Sequence, residues 1–171
     1  MTLATQPLRD EHKDLYPHLE SLKIAGISVH VSLTQSSLDL IDEAYRFLSF
    51  HLLPHAFAEE AALYPMVQKV MGSPLATATM SRDHKEVEKL TMELGELRSK
   101  LSVGEIGVNS ANELKQLLFG LYVLVKVHFA KEEEVYLPLL DAKLTVIEAQ
   151  AMYSSMEKAA HQAMNQVNNN N

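Results

Sequence analysis

The sequence predicts an all-α protein, built as an antiparallel four-helix bundle with a short fifth helix at its C-terminal end. Apolar residues recur at alternating intervals of three and four over four long stretches, which is the period of a helix with one buried face. Glycine and proline, six of each in 171 residues, fall mostly between those stretches, where helices end. No stretch alternates with period two for long enough to form a sheet. Four helices of roughly 20 to 30 residues joined by short loops therefore account for the chain.

Capping residues and helix breakers place the helices in order along the chain. Pro17 and Pro54 fall inside helical stretches, where each removes a backbone donor and is expected to bend its helix. Residues 1–167 form one domain, and the asparagine tail 168–171 is expected to be disordered. The predicted helices are a first over residues 8–26, a second from Leu38 to Pro65 or Gly72, a third opened by Ser73 and Pro74, a fourth opened by a capping box of Ser110 and Glu113 and ending near Pro138, and a fifth from a capping box of Thr145 and Glu148 to Ala163.

Charge and composition exclude several classes of function. A formal net charge of -7 argues against a nucleic-acid surface and against attachment to anionic lipid. Because the chain has no cysteine, disulfide scaffolds, thiolate metal sites and cysteine nucleophiles are excluded, and any metal must bind through nitrogen or oxygen. No leader segment and no spanning segment are recognisable, which predicts a cytoplasmic protein without a membrane partner. We expect a monomer or a homodimer.

The most informative feature of the sequence is an internal duplication. Residues 9–13, with the sequence RDEHK, are echoed by residues 82–85, RDHK. Residues 55–65 and 128–138 share a His-x3-Glu-Glu pattern that is followed by tyrosine and proline. The two histidines of the first half are 43 positions apart, and those of the second half are 44 apart. In a four-helix bundle, such a repeat is most simply related by a pseudo-twofold axis along the bundle, which would bring the four histidines to one level.

Histidines and glutamates of this repeat occupy positions on the predicted apolar faces, where no lysine or arginine lies. Each His-x3-Glu pair shares one helix face and can deliver a nitrogen and an oxygen to a common point. An unpaired carboxylate in a core costs several kcal/mol, and a bound metal ion would offset that cost. Iron, manganese and zinc suit such ligands, and a dinuclear non-haem iron site fits two bridging carboxylates best. The candidate ligands are His12, His55, Glu59, His84, His128 and Glu132.

The same residues resemble the hemerythrin-like (HHE cation-binding) domain family, and the resemblance covers residues 8–141. It implies a bundle of hemerythrin type around two non-haem iron ions with an oxo or hydroxo bridge, for which manganese or zinc could substitute. By the family's pattern, dioxygen, peroxide or nitric oxide binds at the remaining open coordination position. Carried over by motif, the resemblance implies one iron held by His12 and His55, the other by His84 and His128, and bridging by Glu59 and Glu132.

One departure from the family bears on function. Oxygen-carrying hemerythrins have a fifth histidine one turn after the histidine of the third helix, and this chain has Glu88 there. The repeat pairs Glu88 with Tyr16, and either could be a ligand or an outer neighbour of the metals. Glu88 and His51, which lies one turn before His55, are the candidate catalytic residues for proton transfer. His51 could also be a further ligand or a residue of the rim.

Other polar residues of the repeat are expected to have ordinary roles. Carboxylates next to the candidate ligands are interpreted as solvated or exposed, with hydrogen bonding to the ligand histidines as the alternative for Asp10 and Asp83, and the two tyrosines as seals at the end of the bundle. These residues are Glu60, Glu133, Asp10 and Asp83 among the acids, and Tyr64 and Tyr136 among the aromatics.

Two functions of different class follow from a diiron centre. In the first, an enzyme, the ferrous pair reacts with dioxygen or peroxide in redox or peroxidase/catalase-like turnover, with an unidentified electron donor. In the second, a binding module holds or senses dioxygen, nitric oxide or iron without turnover. Ferritin-like diiron bundles use Glu-x-x-His and many zinc hydrolases use His-Glu-x-x-His; this chain contains neither motif.

Overall fold

A computed structural model of the protein describes residues 3–169, with side chains described for residues 3–165. The predicted all-α bundle is confirmed, since 85% of the described residues are helical. Four long helical segments form the bundle, and a fifth helix packs mainly against the second segment. Residues 35–71 make up the second segment and residues 107–143 the fourth. The helices are α1 (Gln6–Ser28), α2 (Gln35–Phe47), α3 (Leu53–Ala58), α4 (Tyr64–Met71), α5 (Ala78–Arg98), α6 (Gly107–Lys131), α7 (Leu137–Lys143) and α8 (Val146–Asn169).

Three π-helical turns interrupt the second and fourth segments, and each is followed by a proline in the first turn of the next α-helix. Proline has no N–H to donate and its ring crowds the carbonyl four residues back, so the wider π turn makes room for it. Glu59 and Glu132 each start one of these turns, which gives the two halves of the repeat the same local backbone. The turns are Leu48–Leu52, Glu59–Leu63 and Glu132–Tyr136, followed by Pro54, Pro65 and Pro138.

The buried apolar side chains form two clusters, one toward each end of the bundle. In α1, Leu8 belongs to one cluster and Leu15 to the other. In α5, Met80 and Val87 divide in the same way. The residues between them, one turn from each cluster, are the histidines of the repeat. A polar layer therefore crosses the middle of an otherwise apolar core.

Two helices begin at residues other than those predicted. The third predicted helix, α5, begins at Ala78 instead of after Ser73, because Ser73 Oγ accepts the N–H of Leu75 (3.3 Å) and holds a separate turn. The fourth predicted helix, α6, begins at Gly107, so Ser110 lies inside it and its predicted capping box is wrong. Pro17 lies inside α1, which continues through it to its end.

The fifth helix is longer than predicted. Its capping box is confirmed, since the Thr145 N–H donates to Glu148 Oε2 (3.1 Å) and the Glu148 N–H donates to Thr145 Oγ1 (3.3 Å). The helix has 24 residues because its buried seam, which includes Met152 and Met156, carries it along the second segment. Residues 168 and 169 of the predicted disordered tail belong to this helix. Residues 170 and 171 lie outside the described part of the chain.

A two-residue antiparallel strand pair ties the loop after α1 to the loop before α6. Strand β1 (Ser32–Leu33) pairs with β2 (Gly104–Glu105), and two residues are too few to show an alternating pattern in the sequence. Gly104 has φ +120°, a conformation that side-chain-bearing residues rarely adopt. Among the helices of residues 3–169, none is both long and apolar enough to cross a membrane.

Candidate metal centre

The six candidate ligands meet in the polar layer. Glu59 and Glu132 are fully buried, and three of the four histidines are at most 4% exposed. The side chain of His84 is 11% exposed and is the most open of the six. The predicted convergence of these residues at one level of the bundle is therefore what the structure shows.

Each buried carboxylate turns its two oxygens in different directions. Glu59 Oε1 lies 3.0 Å from His55 Nε2, and Glu59 Oε2 lies 3.2 Å from His84 Nε2. Glu132 Oε2 lies 3.5 Å from His12 Nε2, and Glu132 Oε1 lies 3.4 Å from His128 Nε2. Both glutamates thus stand between two pairs of imidazoles, as bridging ligands would.

The ligand atoms form two groups, each with its atoms within 4.8 Å of one another. The first position consists of His12, His55, Glu59 and Glu132, all buried. The second position consists of Glu59, His84 and His128. Glu132 also faces the second position through its Oε1. Two metal positions that share carboxylates follow from this arrangement.

Several buried polar atoms in this layer have no hydrogen-bond partner among the described residues. They are Nε2 of His12 and of His55, both carboxylate oxygens of Glu59, and Oε2 of Glu132. Unsatisfied buried polar atoms are rare, and each costs about 1–3 kcal/mol. Nitrogen and carboxylate donors that face one another without partners are the donor set that a divalent cation would satisfy. The residues present therefore fit a metal centre.

The outer nitrogen of each histidine meets a further carboxylate, as ligand histidines in metal sites do. Two of these hydrogen bonds join residues of the same half of the repeat, namely His55 with Glu11 and His128 with Asp83. The other two join residues of different halves, namely His84 with Glu60 and His12 with Glu133. The distances are Glu11 Oε1 to His55 Nδ1 2.9 Å, Asp83 Oδ2 to His128 Nδ1 3.2 Å, Glu60 Oε1 to His84 Nδ1 2.9 Å and Glu133 Oε1 to His12 Nδ1 2.9 Å.

These contacts correct the interpretation of Glu133 as solvated, give the exposed Glu60 a histidine partner, and place Asp83 in the first of its two alternative roles, as an acceptor for a ligand histidine. Glu60, Glu133 and Asp83 all orient a histidine, although Glu60 stays partly open to solvent. Asp10 is exposed as predicted and accepts a hydrogen bond from Gln6. Sequence reasoning missed Glu11. The signal was its position directly before His12, which matches the position of Asp83 directly before His84.

The buried imidazoles and carboxylates shift one another's pKa values in opposite directions. Burial favours the neutral form of His55, but the Glu59 and Glu11 carboxylates together outweigh it and hold the pKa of His55 well above its usual range. Burial likewise opposes ionisation of Glu59, and His55, His12 and His84 together reverse this and hold the pKa of Glu59 well below its usual range. The pKa values of His12 and His84 are raised against the effect of burial by the same carboxylate. A cation at the centre would take the place of the protons on these groups.

Tyr64 belongs to the centre, which corrects its predicted role as a seal. Its hydroxyl donates to Glu132 Oε1 (2.9 Å) and lies 3.3 Å from His84 Nε2 and 3.2 Å from His128 Nε2. Tyr136 does lie outside: its hydroxyl donates to the Ala76 carbonyl (2.7 Å).

Counting residues explains why only one of the two tyrosines enters the centre. Tyr64 is the ninth residue after His55, whereas Tyr136 is the eighth after His128, and one residue turns a helix by about 100°. Leu137 occupies the place that corresponds to Tyr64. The exact offset from the histidine was the signal that sequence reasoning did not use.

The two positions also differ in what surrounds them. The ring of Phe129 stacks on His12 at 4.5 Å and meets His55 edge-on at 5.9 Å, which closes the first position with an aromatic side chain. The corresponding residue of the first half is Ala56. Arg9 pairs with Glu133, whereas Ser81, which precedes His84 by three residues as Arg9 precedes His12, donates a hydrogen bond to Glu60 (2.9 Å).

The two predicted catalytic residues lie outside the centre. Glu88 is exposed and is absent from both ligand groups; it lines a surface pocket beside His84. His51 is also exposed, and its ring stacks on His18 at 6.1 Å, away from the ligand atoms. Tyr16, the partner of Glu88 in the repeat, is 37% exposed and is absent from both ligand groups. Each side chain lies one turn along its helix from a ligand, but it points outward.

Comparison with known families identifies the domain. A family model described as the hemerythrin HHE cation-binding domain matches residues 3–140 and again residues 75–169. The second match begins just before the second half of the repeat, as an internal duplication would give. No curated protein and no solved structure matches the chain. Together with the histidine and glutamate cluster, the match identifies a metal-binding module. The first match alone covers more than half of the residues of the chain, so the chain belongs to the hemerythrin HHE cation-binding domain family.

Proposed function

We propose that the protein holds two non-haem iron ions in its polar layer and reduces peroxide there. The observation that carries the proposal is the pair of buried carboxylates, each with one oxygen toward each position and with three of their four oxygens unpaired. His12 and His55 would hold one ion and His84 and His128 the other, with Glu59 and Glu132 bridging. Iron suits this set of nitrogen and carboxylate donors and is the typical metal of the family.

When bound, the two ferrous ions supply the two electrons that reduce one hydrogen peroxide molecule, and an external donor returns them. The reaction breaks the O–O bond, takes up two protons and gives two water molecules. The chain's own residues must therefore hold a proton close to the open side of the centre.

Tyr64 fills that role at the second position. Burial and the charge of Glu59 raise the pKa of Tyr64, so its hydroxyl keeps its proton. The hydroxyl lies within 3.3 Å of both second-position imidazoles and donates to Glu132. If the hydroxyl turned from Glu132 to a reacting oxygen, a fixed donor of this kind would contribute roughly 10²–10³ in rate.

The test combines metal content with peroxide consumption. After anaerobic ferrous loading, elemental analysis should give about two irons per chain. With ascorbate as the electron donor, the loaded protein should consume hydrogen peroxide faster than free iron does. Without ascorbate, it should consume about one hydrogen peroxide molecule per pair of ferrous ions. Tyr64→Phe should keep the iron and lower the rate about 100-fold.

Tyr136→Phe is the matched control, because its hydroxyl bonds a backbone carbonyl instead of the centre. It should keep both the iron and the rate. Two irons without turnover would leave a binding module and overturn the enzymatic proposal. Metal content near zero that loading does not restore would mean that the layer is a buried polar network.

A further inference from the structure

A pocket of about 650 Å³ opens on the surface beside the second position. Its apolar wall includes Leu53 and Phe57 of the second segment and Ala163 of α8. His84 lines the same pocket, together with its carboxylate partner Glu60. The pocket therefore reaches the ligand of the centre that is most open to solvent.

His84 stands between this pocket and the proton donor of the centre. Its ring stacks on the ring of Tyr64 at 5.3 Å with an interplanar angle of 7°. Tyr64 is 1% exposed and does not line the pocket. The route from solvent to the second position thus passes the edge of the His84 ring.

The first position is served by a smaller pocket. That pocket has a volume of about 300 Å³ and includes His55, Glu11 and His51 among its lining residues. His55 is only 4% exposed, and Phe129 packs against its ring. A small organic molecule therefore has more room, beside a more exposed ligand histidine, at the second position.

Volume and charge define what the larger pocket would accept. The volume of the pocket is about twenty times the roughly 30 Å³ that one water molecule takes up in the liquid. This volume lies in the range of about 300–1,000 Å³ that is typical of small-molecule sites. One cation, Lys85, and one free carboxylate, Glu88, offset each other. The second carboxylate, Glu60, is already bonded to His84 and to Ser81. Apolar walls with little net charge suit an uncharged organic molecule.

We propose that this pocket binds an uncharged organic molecule with an apolar body and a hydroxyl or hydroperoxyl group, and that it brings an organic hydroperoxide to the second position. The second part rests on the proposed function. Reduction of the hydroperoxide breaks its O–O bond, takes up two electrons and two protons, and gives one alcohol and one water. The electrons come from two ferrous ions, which become ferric, and ascorbate returns them in the assay.

Binding is tested first on the metal-free protein, with cumyl alcohol as a redox-inert probe in isothermal titration calorimetry. The expected result is saturable binding of one molecule per chain. Ala163→Leu fills the pocket from α8 and Phe57→Ala removes part of its wall, and each should weaken binding at least about tenfold. Phe57 is 46% exposed, so its loss should leave the fold intact even if the substitution in α8 does not.

Val127→Ala is the control, because Val127 is 50% exposed and lies outside the pocket. It should leave binding unchanged. Absence of saturable binding by the parent protein, or equal binding by all variants, would overturn the pocket assignment whatever the peroxide activity.

Substrate use is tested on the iron-loaded protein with cumene hydroperoxide and hydrogen peroxide. Phe57→Ala should raise the KM for cumene hydroperoxide relative to that for hydrogen peroxide at least about tenfold. An unchanged ratio would overturn the role in substrate selection. Failure of the parent protein to consume hydrogen peroxide would instead overturn the proposed function, while the calorimetry reports on the pocket independently.

Discussion

The first and second positions are built from the same repeated residues, yet the first is less accessible to a small molecule than the second. In each, two imidazoles face shared carboxylates, and each imidazole is oriented by an outer acid. Phe129 packs over the first position, whereas the second has the Tyr64 hydroxyl inside and a large pocket outside. The duplication thus provides the ligands, and the residues that differ between the halves decide where a small molecule can approach.

The largest effect is expected from removing a carboxylate ligand that the two positions share. Glu59→Ala takes a carboxylate from both at once, so the iron content after loading should fall from about two per chain to well below one. The loss should also abolish the stabilisation by bound metal, about 4 kcal/mol at a thousandfold excess over the dissociation constant. Elemental analysis and thermal melting measure the two effects. Glu134→Ala, an exposed acid of the same helix segment as Glu132, is the control and should change neither.

A second test concerns the closed position alone. Phe129 is 1% exposed and touches two imidazoles, so Phe129→Ala should lower the free energy of unfolding by about 3–5 kcal/mol. Phe57→Ala, on the wall of the open pocket, should cost less than about 1 kcal/mol. Denaturant unfolding of the metal-free proteins measures both. Equal costs would show that the two positions are not differently packed.

The outer carboxylates allow a finer comparison. Glu133→Gln and Glu60→Gln should each weaken iron binding by about 10–100-fold, because each leaves a ligand histidine without its charged acceptor. The loss should be greater for Glu133, whose side chain is 27% exposed against 39% for Glu60 and which also pairs with Arg9. Competition with a chelator measures the affinities. A greater loss for Glu60 would contradict the assignment of the first position as the closed one.

The smallest effects are expected at the two residues that the sequence suggested as catalytic. Glu88→Gln and His51→Asn should retain the full iron content and an affinity within about twofold of the parent protein, since both side chains are exposed. Metal analysis and chelator competition detect any change. Loss of iron in either variant would make that residue a ligand after all.

The fold and the inner ligands could be predicted because both depend on helical periodicity. Histidine and glutamate at seam positions, repeated twice, define one level of a bundle before any distance is known. Glu88, which lies one turn from His84, could be read from the sequence as a ligand or as an outer neighbour of the metals; its side chain is exposed, lines a surface pocket and is absent from both ligand groups.

The missed residues depend on details that periodicity does not contain. Tyr64 reaches the centre and Tyr136 does not because their offsets from the preceding histidine differ by one residue. The π turns that start at Glu59 and Glu132 change the helical register after the ligands, so a uniform period gives wrong faces beyond them. The outer acids were underestimated because their partners come from other helices, and only tertiary packing shows which carboxylate meets which imidazole.

The crossed bonds from Glu60 to His84 and from Glu133 to His12 have a consequence for how the protein folds. Each half of the duplication orients a histidine of the other, so neither half contains a complete set of oriented ligands. Although the sequence reads as two copies of one unit, the halves are expected to gain stability together, as a single cooperative transition. Separate fragments divided in the loop between α4 and α5 would be obligate complements, each remaining poorly folded until it meets the other.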